Sequence, residues 1–478
     1  MKKMAILGVF CAATGQAWAN DPPAGPPAAR RVTGAEAPRD TLDVRLAPSE
    51  TGGLTSEQVA QRAQETSFDA AGRRHALAAA EARLQQAKVA FYPRLTLTGS
   101  YTRLSEIPPF PYYNPQTAMM TSLVIPANRY LLQATLTIPV SDYVLRLSQS
   151  YAAASRSQRA AQLDQQAARL KAATDGRLAY YAWLRAKGQL VVAERALDQA
   201  KAHLEDARHA FEVGTTSKAD VLRVESQVAS AELVVAQAKN LAELNEDQIR
   251  TAMHDASGRR YEVGEDLRID PPPLADVDNL ASLRAEALDR RLEVRALDET
   301  AWSLREQGKV ARAGYYPRLD VVGNAIFANP NPRYFFPEAQ FRESWDVGVQ
   351  VVWTPNDSFN AGAASADTEA RASQTEAQKE VLRDSVKLEV IQAYNAMREA
   401  EVAMQTTQRG LASSEEGYRV RRELFRNGRA TSVELTDSEL ELFRAGLESI
   451  NARANMRSAR ARLLHAVGRD IPAAMAAR

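Results

Sequence analysis

Phe211-Glu212-Val213-Gly214 returns 214 residues later as Phe425-Arg426-Asn427-Gly428, in a chain of 478 residues. Other short stretches recur in the same order, such as Tyr92-Pro93-Arg94-Leu95, which returns as Tyr316-Pro317-Arg318-Leu319. Each copy has the same predicted order of elements: helix, strand, loop, strand, very long helix, glycine turn and helix. Because an internal duplication sets the architecture, the chain is interpreted as two structural repeats, over residues 54–270 and 271–470.

The amino terminus has the pattern of a secretory signal peptide, predicted over residues 1–19. Two lysines precede an apolar run that ends at Ala13, and Ala17-Trp18-Ala19 offers a small-x-small cleavage site. The only cysteine, Cys11, lies within it, and Phe10 before it argues against lipidation. No later apolar run reaches about 18 residues, so no membrane-spanning helix is predicted. The net charge of +1 gives no indication of nucleic-acid binding.

Two terminal segments are predicted to lie outside the repeats. Residues 20–53 are rich in Pro, Ala and Arg, as expected of a flexible tail, although they could instead lie along the outside of the folded body. Residues 471–478 form a short carboxyl-terminal tail. Neither segment contributes to the predicted core.

Two stretches predict very long helices. No proline occurs from Ser141 to Phe211, a length that gives a rod of roughly 100 Å, and residues 359–425 form a similar stretch. Both carry apolar residues at alternating spacings of four and three, which predicts a coiled-coil seam. On the helices alone, an ordinary soluble coiled-coil hairpin is the favoured interpretation, and two such hairpins would suit a soluble periplasmic scaffold.

Four short segments are predicted as β-strands: Leu95 to Arg103, Tyr130 to Val140, Leu319 to Phe327, and Trp345 to Thr354. Each is about ten residues long and partly alternating, which suits a tilted transmembrane strand. Four strands cannot close a barrel, and open edges within a bilayer leave amides unpaired. If the strands cross a membrane, three chains together would supply 12 strands. A pair of soluble hairpins capping the coiled coil is the alternative.

In this arrangement the chain resembles the TolC-like outer membrane efflux protein family, the outer membrane factors of tripartite efflux pumps. The similarity covers about residues 54 to 470. It rests on the pattern Phe211-x-x-Gly214-x-x-Ser217-x-x-Asp220 and its copy Phe425-x-x-Gly428-x-x-Thr431-x-x-Glu434, together with the repeated strand entry. Each motif is weak alone, and the duplicated set in order is specific.

The resemblance implies an α+β membrane protein of three chains. A 12-stranded outer-membrane β-barrel, four strands from each chain, would continue into a long α-helical coiled-coil barrel across the periplasm. The expected function is a passive exit duct for small molecules from an inner-membrane pump, with a periplasmic adaptor protein and outer-membrane lipid as further partners. The exit duct of a type I protein secretion system is an alternative within the same family.

The resemblance also assigns roles to the two turns. Gly214, Ser217, Gly428 and Thr431 would form the periplasmic tips that the adaptor contacts. Asp220, Phe425, Glu434 and Asp437 would constrict the entrance and favour cations. Phe425 stands where the best-known member has Tyr, and Ala430 replaces a gate-linking Arg, which leaves a copied gate network in doubt.

Local explanations exist for the same residues. Ser217 with Asp220, and Thr431 with Glu434, have the spacing of capping boxes that begin the downstream helices. Phe211 and Phe425 could be the last apolar residues of the coiled-coil seam, and the glycines could simply end helices in a left-handed conformation. Asp437 has no acidic counterpart, because Arg223 stands opposite it in the first repeat.

No catalytic residue set, phosphate-binding loop or metal-ligand spacing was identified, so no enzyme, cofactor or metal site is predicted. The five histidines are interpreted as solvated residues of helix surfaces. They are His75, His203, His209, His254 and His465.

Overall fold

The computed structural model describes residues 52–114, 119–123, 126–274, 277, 279–335 and 338–470. The predicted signal peptide, almost all of the predicted amino-terminal tail and the carboxyl-terminal tail lie outside these residues. The helices are α1 Ser56–Thr66, α2 Phe68–Val89, α3 Ser148–Glu212, α4 Lys218–Ala252, α5 Leu280–Arg290, α6 Leu292–Arg312, α7 Pro355–Arg426 and α8 Ser432–Val467. The strands are β1 Arg94–Arg103, β2 Phe110–Asn114, β3 Met119–Leu123, β4 Asn128–Pro139, β5 Arg318–Asn329 and β6 Arg342–Val352.

The two long helices dominate the molecule. Helix α3 has 65 residues and α7 has 72, so each spans about 100 Å at 1.5 Å per residue. After a glycine turn each runs back as a shorter helix, which gives the hairpins α3–α4 and α7–α8. Helix α2 packs on α3, and helix α6 packs on both α3 and α7. Helix α8 also packs on α3. Alanines along the facing surfaces let the helix backbones approach closely.

One sheet of four antiparallel strands stands at the other end of the helices, in the order β1-β4-β5-β6. Leu97 lies opposite Ala134, which lies opposite Ala325, and Ala325 lies opposite Trp345, so these four side chains share one face. That face carries many exposed apolar and aromatic residues. The opposite face is polar: Gln133 and Thr135 bond to Asn324, which donates to Asp346 at 2.8 Å.

The core lies about midway along the hairpins. One cluster contains Tyr180, Trp183 and Ile249, and a second contains Val386, Val390 and Leu463. The segment that joins the repeats packs beside them because the buried Arg457 donates to the carbonyls of Asp266, Leu267 and Ile269. These carbonyls satisfy a guanidinium that burial would otherwise destabilise.

Several local expectations were wrong. The single helix predicted before the first strand of the first repeat is two helices, α1 and α2, separated at Ser67, whose hydroxyl caps α2 by accepting from the Ala70 amide. By contrast, the start predicted for the long helix near Ser141 is correct: a helical turn over Val140–Asp142 leads through a π-helical turn over Tyr143–Leu147 into α3. The loop predicted between the first two strands contains an additional hairpin, β2 and β3. None of the described helices is long and apolar enough to cross a membrane.

Candidate functional site

Both glycine turns end their helices in a left-handed cap. The backbone φ is +79° at Gly214 and +70° at Gly428. The Gly214 amide donates to the Phe211 carbonyl at 3.0 Å, and the Gly428 amide donates to the Phe425 carbonyl at 2.9 Å. A Cβ at either glycine would meet nothing within 4 Å, so the positive φ, and not crowding, requires glycine. This geometry explains the repeated motif locally, and adaptor contact stays a prediction.

The helices that follow the turns are capped differently. Thr431 begins a complete capping box: its hydroxyl accepts from the Glu434 amide at 3.3 Å, and its amide donates to the Glu434 carboxylate at 2.9 Å. Ser217 accepts from the Asp220 amide, but its hydroxyl also donates to the Asp220 carboxylate at 2.6 Å. The reciprocal backbone bond expected for Asp220 is not formed, since an aspartate is one methylene shorter than a glutamate.

These caps stabilise the charged forms of two predicted gate acids. The hydrogen bond from the Ser217 hydroxyl lowers the pKa of Asp220 below its usual value. The Thr431 amide, and then its hydroxyl, lower the pKa of Glu434. Both carboxylates therefore stay ionised at neutral pH. Asp437 is exposed on α8, one turn beyond Glu434.

The predicted gate acids do not meet within one chain. Asp220 begins α4, whereas Glu434 and Asp437 lie on α8, and no hydrogen bond or ion pair among the described residues joins the two sets. An acidic constriction would therefore require the corresponding residues of other chains. The role of these acids in a gate stays a prediction.

Phe211 and Phe425 have different surroundings despite their matching positions. Phe425 is 9% exposed and Phe211 is 45% exposed. The Phe425 ring meets the His203 imidazole edge-on, with 5.2 Å between ring centroids. Phe425 is thus a buried residue that contacts α3 at the end of α7, whereas Phe211 is half exposed. The part of Phe425 in a gate stays a prediction.

His203 contradicts the expectation that the histidines are solvated. It is 2% exposed, and its Nδ1 lies 3.2 Å from a carboxylate oxygen of Glu439. Its Nε2 lies 3.2 Å from the Ser432 hydroxyl, while the Gln227 amide donates to the same Glu439 oxygen at 3.1 Å. Helices α3, α4 and α8 are therefore tied together by buried polar groups close to both turns.

A sequence signal for this cluster existed and was missed. Glu439 lies four residues after Leu435 and three before Leu442, which is the spacing of the seam itself. His203 follows Ala200 by three residues and so shares its apolar face. A charged and a titratable residue at seam positions point to a buried pair.

An ion pair beside this cluster also joins the two hairpins. The Arg426 guanidinium at the end of α7 lies 3.2 Å from an Asp206 carboxylate oxygen on α3. Both side chains remain partly exposed, so the pair contributes less than about 1 kcal/mol.

Comparisons with known proteins agree on one family. The family model described as "Outer membrane efflux protein" matches residues 59–253 and 283–469, which covers both repeats. Two proteins of Pseudomonas putida, the antibiotic efflux pump outer membrane protein ArpC and the toluene efflux pump outer membrane protein TtgC, are each 22% identical over 293 residues. That match covers 61% of this chain and 59% of each relative's length.

Solved structures share the whole fold. VceC of Vibrio cholerae superposes with a TM-score of 0.69 at 16% identity, covering 86% of this chain and 96% of VceC. The open state of the MtrE outer membrane channel of Neisseria gonorrhoeae gives a TM-score of 0.70 at 15% identity, covering 87% and 89%. The chain therefore belongs to the outer membrane efflux protein family, which confirms the predicted family, the fold class and the location in the outer membrane with a helical body in the periplasm.

Proposed function

We propose that three copies of this chain form the outer-membrane exit duct of a tripartite efflux system. The four-stranded sheet carries this proposal, because β1 and β6 are its edge strands, and within the described residues each is paired on its inner side only. An open edge inside a bilayer costs several kcal/mol for each unpaired amide. Pairing β6 of one chain with β1 of the next would remove every edge and give 12 strands.

The two faces of the sheet support this closure. The face with Leu97, Trp345 and Val347 is apolar and exposed, as a surface against lipid must be. The other face carries the hydrogen-bonded Gln133, Asn324 and the carboxylate of Asp346, which suits a water-filled interior. A soluble scaffold gives no reason for so much exposed apolar surface, so the duct is the better explanation.

The helices supply the periplasmic part. Helices α3 and α7 are each about 100 Å long and begin directly after the sheet, so a closed ring of hairpins would continue the barrel as one tube. The glycine turns lie at its far end, where we place contact with a periplasmic adaptor protein and an inner-membrane pump. The pump would supply the energy, and the duct itself would be passive and not an enzyme.

Small organic molecules are the proposed cargo. The curated relatives are named for the export of antibiotics and of toluene, and this chain shares their family and more than half of their length. No specific observation favours protein secretion over this cargo. In this proposal the chain consists of a signal peptide, two structural repeats and two terminal tails.

Membrane fractionation of cells that express the full chain tests the duct. We expect a heat-modifiable trimer in the outer-membrane fraction, since only the trimer closes the sheet. Substitution of Val347 by Asp puts a charge on the apolar face and should prevent insertion, whereas substitution of Gln350 by Asp, on the polar face, should not. A soluble monomer of the unsubstituted chain would contradict the proposed function.

A further inference from the structure

The loop between β5 and β6 lies at the end of the sheet away from the helices, which is the outer end of the proposed duct. Asn331, near the start of this loop, is 3% exposed. Its amide nitrogen donates to the Arg342 carbonyl at 2.9 Å and to the Ser344 hydroxyl at 3.0 Å. Ser344 lies in line with Gln133 across the sheet and so belongs to the polar face. The start of the loop is therefore folded over that face.

Arg333 extends the loop further along the same face. Its guanidinium donates to the Trp345 carbonyl at 2.8 Å and to the Asp346 carboxylate. Asp346 is four residues beyond Arg342, where β6 begins, which is about 13 Å along the strand. The Asn324 amide donates to the other oxygen of the same carboxylate at 2.8 Å. The Arg333 side chain is therefore held against the polar face by one charged and one neutral acceptor.

The loop and the sheet together line a cavity of about 1150 Å³. Gln133 and Ser344 line it from the polar face, and Arg333 and Tyr334 line it from the loop. The Tyr334 hydroxyl donates to the Glu343 carbonyl at 3.4 Å, so the loop is bound to β6 at a further point. A molecule that leaves along the polar face must therefore pass this loop.

We propose that this loop narrows the outer end of the duct and that Arg333 is the residue that positions it. In the proposed trimer the polar face lines the lumen, so three loops extend inwards at one level, one from each chain. They limit the size of the molecules that can leave. Each loop also brings a guanidinium to Asp346, so this carboxylate has a counter-charge. This inference rests on the proposed duct and adds a size limit to its exit.

Labelling of single cysteines from outside intact cells tests the constriction. Cys11 lies in the predicted signal peptide and is the only cysteine, so the exported chain offers no competing thiol. Gln350→Cys places a thiol on the polar face of β6, deeper in the lumen than Asp346. Gln340→Cys places one on the exposed loop. Maleimides on long poly(ethylene glycol) chains should label Gln350→Cys at least about tenfold more slowly than a short maleimide does, relative to Gln340→Cys.

Releasing the loop should remove the size limit. Arg333→Ala combined with Asn331→Ala removes the two side chains that bind the loop to the polar face, so the long probes should label Gln350→Cys at least about fivefold faster. Arg103→Ala is the matched control. Arg103 pairs with Glu106 at 3.6 Å at the same end of the sheet but belongs to the apolar face, so its loss should leave the labelling rates unchanged.

Arg333→Gln is a second variant, used with a charge readout, and it serves if the double variant does not reach the cell surface. It leaves Asp346 without its counter-charge in each chain. A small cationic thiol reagent should then gain about threefold in rate over a small anionic one at Gln350→Cys. A loop residue needed only for folding would not shift this ratio.

The outcomes separate the constriction from the duct. Equal labelling of Gln350→Cys by all probes in the otherwise unsubstituted chain would contradict the constriction. Labelling rates and a charge ratio that the Arg333 variants leave unchanged would contradict it too. Absence of labelling at Gln340→Cys from outside the cell would contradict the duct itself, because this residue would then not reach the outer surface.

Discussion

The two tips carry the same turn, but they are packed differently. At both, a glycine with positive φ ends a long helix and a hydroxyl residue caps the next. At the second tip, Phe425 and Ser432 are buried against His203, whereas Phe211 at the first tip is half exposed. The duplication therefore copied the backbone geometry, while the contacts between the copies made the tips unequal. The second tip therefore joins the two hairpins through a buried aromatic residue, and the matching aromatic residue of the first tip is half exposed.

Phe425→Ala and Phe211→Ala test this difference in packing between the two tips, and they have the largest expected effect. Removing a buried phenylalanine ring leaves a cavity, so Phe425→Ala should lower the free energy of unfolding by about 3 kcal/mol per chain. Phe211→Ala should lower it by less, about 1 kcal/mol, because the Phe211 side chain is only about half buried. Denaturant titration of the purified trimer measures both. Equal losses would show that the tips do not differ in packing.

Thr431→Ala and Ser217→Ala test the caps, with a smaller effect. Thr431→Ala should lower the free energy of unfolding by about 1 kcal/mol, since the hydroxyl accepts a hydrogen bond from an amide of the first turn of α8. Ser217→Ala should lower the free energy of unfolding somewhat less, because Ser217 caps α4 without the reciprocal hydrogen bond of a capping box. Thermal dissociation of the trimer compares the two. A larger loss for Ser217→Ala would contradict the observed geometry.

The pH dependence of the Thr431 cap has a defined sign. The Thr431 amide lowers the pKa of Glu434 below its usual value of 4.5, so the stabilisation is fully present above about pH 4.5. It is lost as the pH falls through the lowered pKa of the folded chain. The stability difference between the unsubstituted trimer and Glu434→Gln should therefore shrink between pH 5 and pH 3. A difference that grows over this range would contradict the assignment.

Neutralising the exposed acids should have the smallest effect. The double substitution Glu434→Gln with Asp437→Asn should lower cation conductance in planar bilayers by about twofold or less, because salt screens exposed charges. Arg223→Gln, at the position opposite Asp437 in the first repeat, removes a positive charge and should not lower it. Unchanged conductance, together with unchanged block by divalent cations, would exclude an acidic ring.

Elements that depend on local pattern were predictable. The four long strands were placed within about three residues of their observed ends, because turn residues and alternation bound them. The glycine turns were predicted because Gly214 and Gly428 each follow a long helix with a coiled-coil seam. The additional hairpin of β2 and β3 was missed because its proline and aromatic residues have the composition of a loop.

Contacts between distant segments were not predictable in the same way. Nothing local to Ser67 required the break between α1 and α2, since serine is tolerated within helices and at their ends. The burial of His203 depends on Glu439 and Ser432, more than 220 residues away along the chain. The sequence did contain a charged residue at a seam position, but it did not identify its partner.

The sequence by itself determined the duplicated order of elements, the seams and the turns, because hydrophobic spacing and positive φ are local requirements. Only the tertiary structure decided which copy of each matching pair is buried. Phe211 and Phe425 have the same place in the repeat, and they differ because α8 packs on α3 while no equivalent contact covers Phe211 among the described residues. Burial is a property of the neighbours that folding brings together, and a repeated sequence does not provide repeated neighbours.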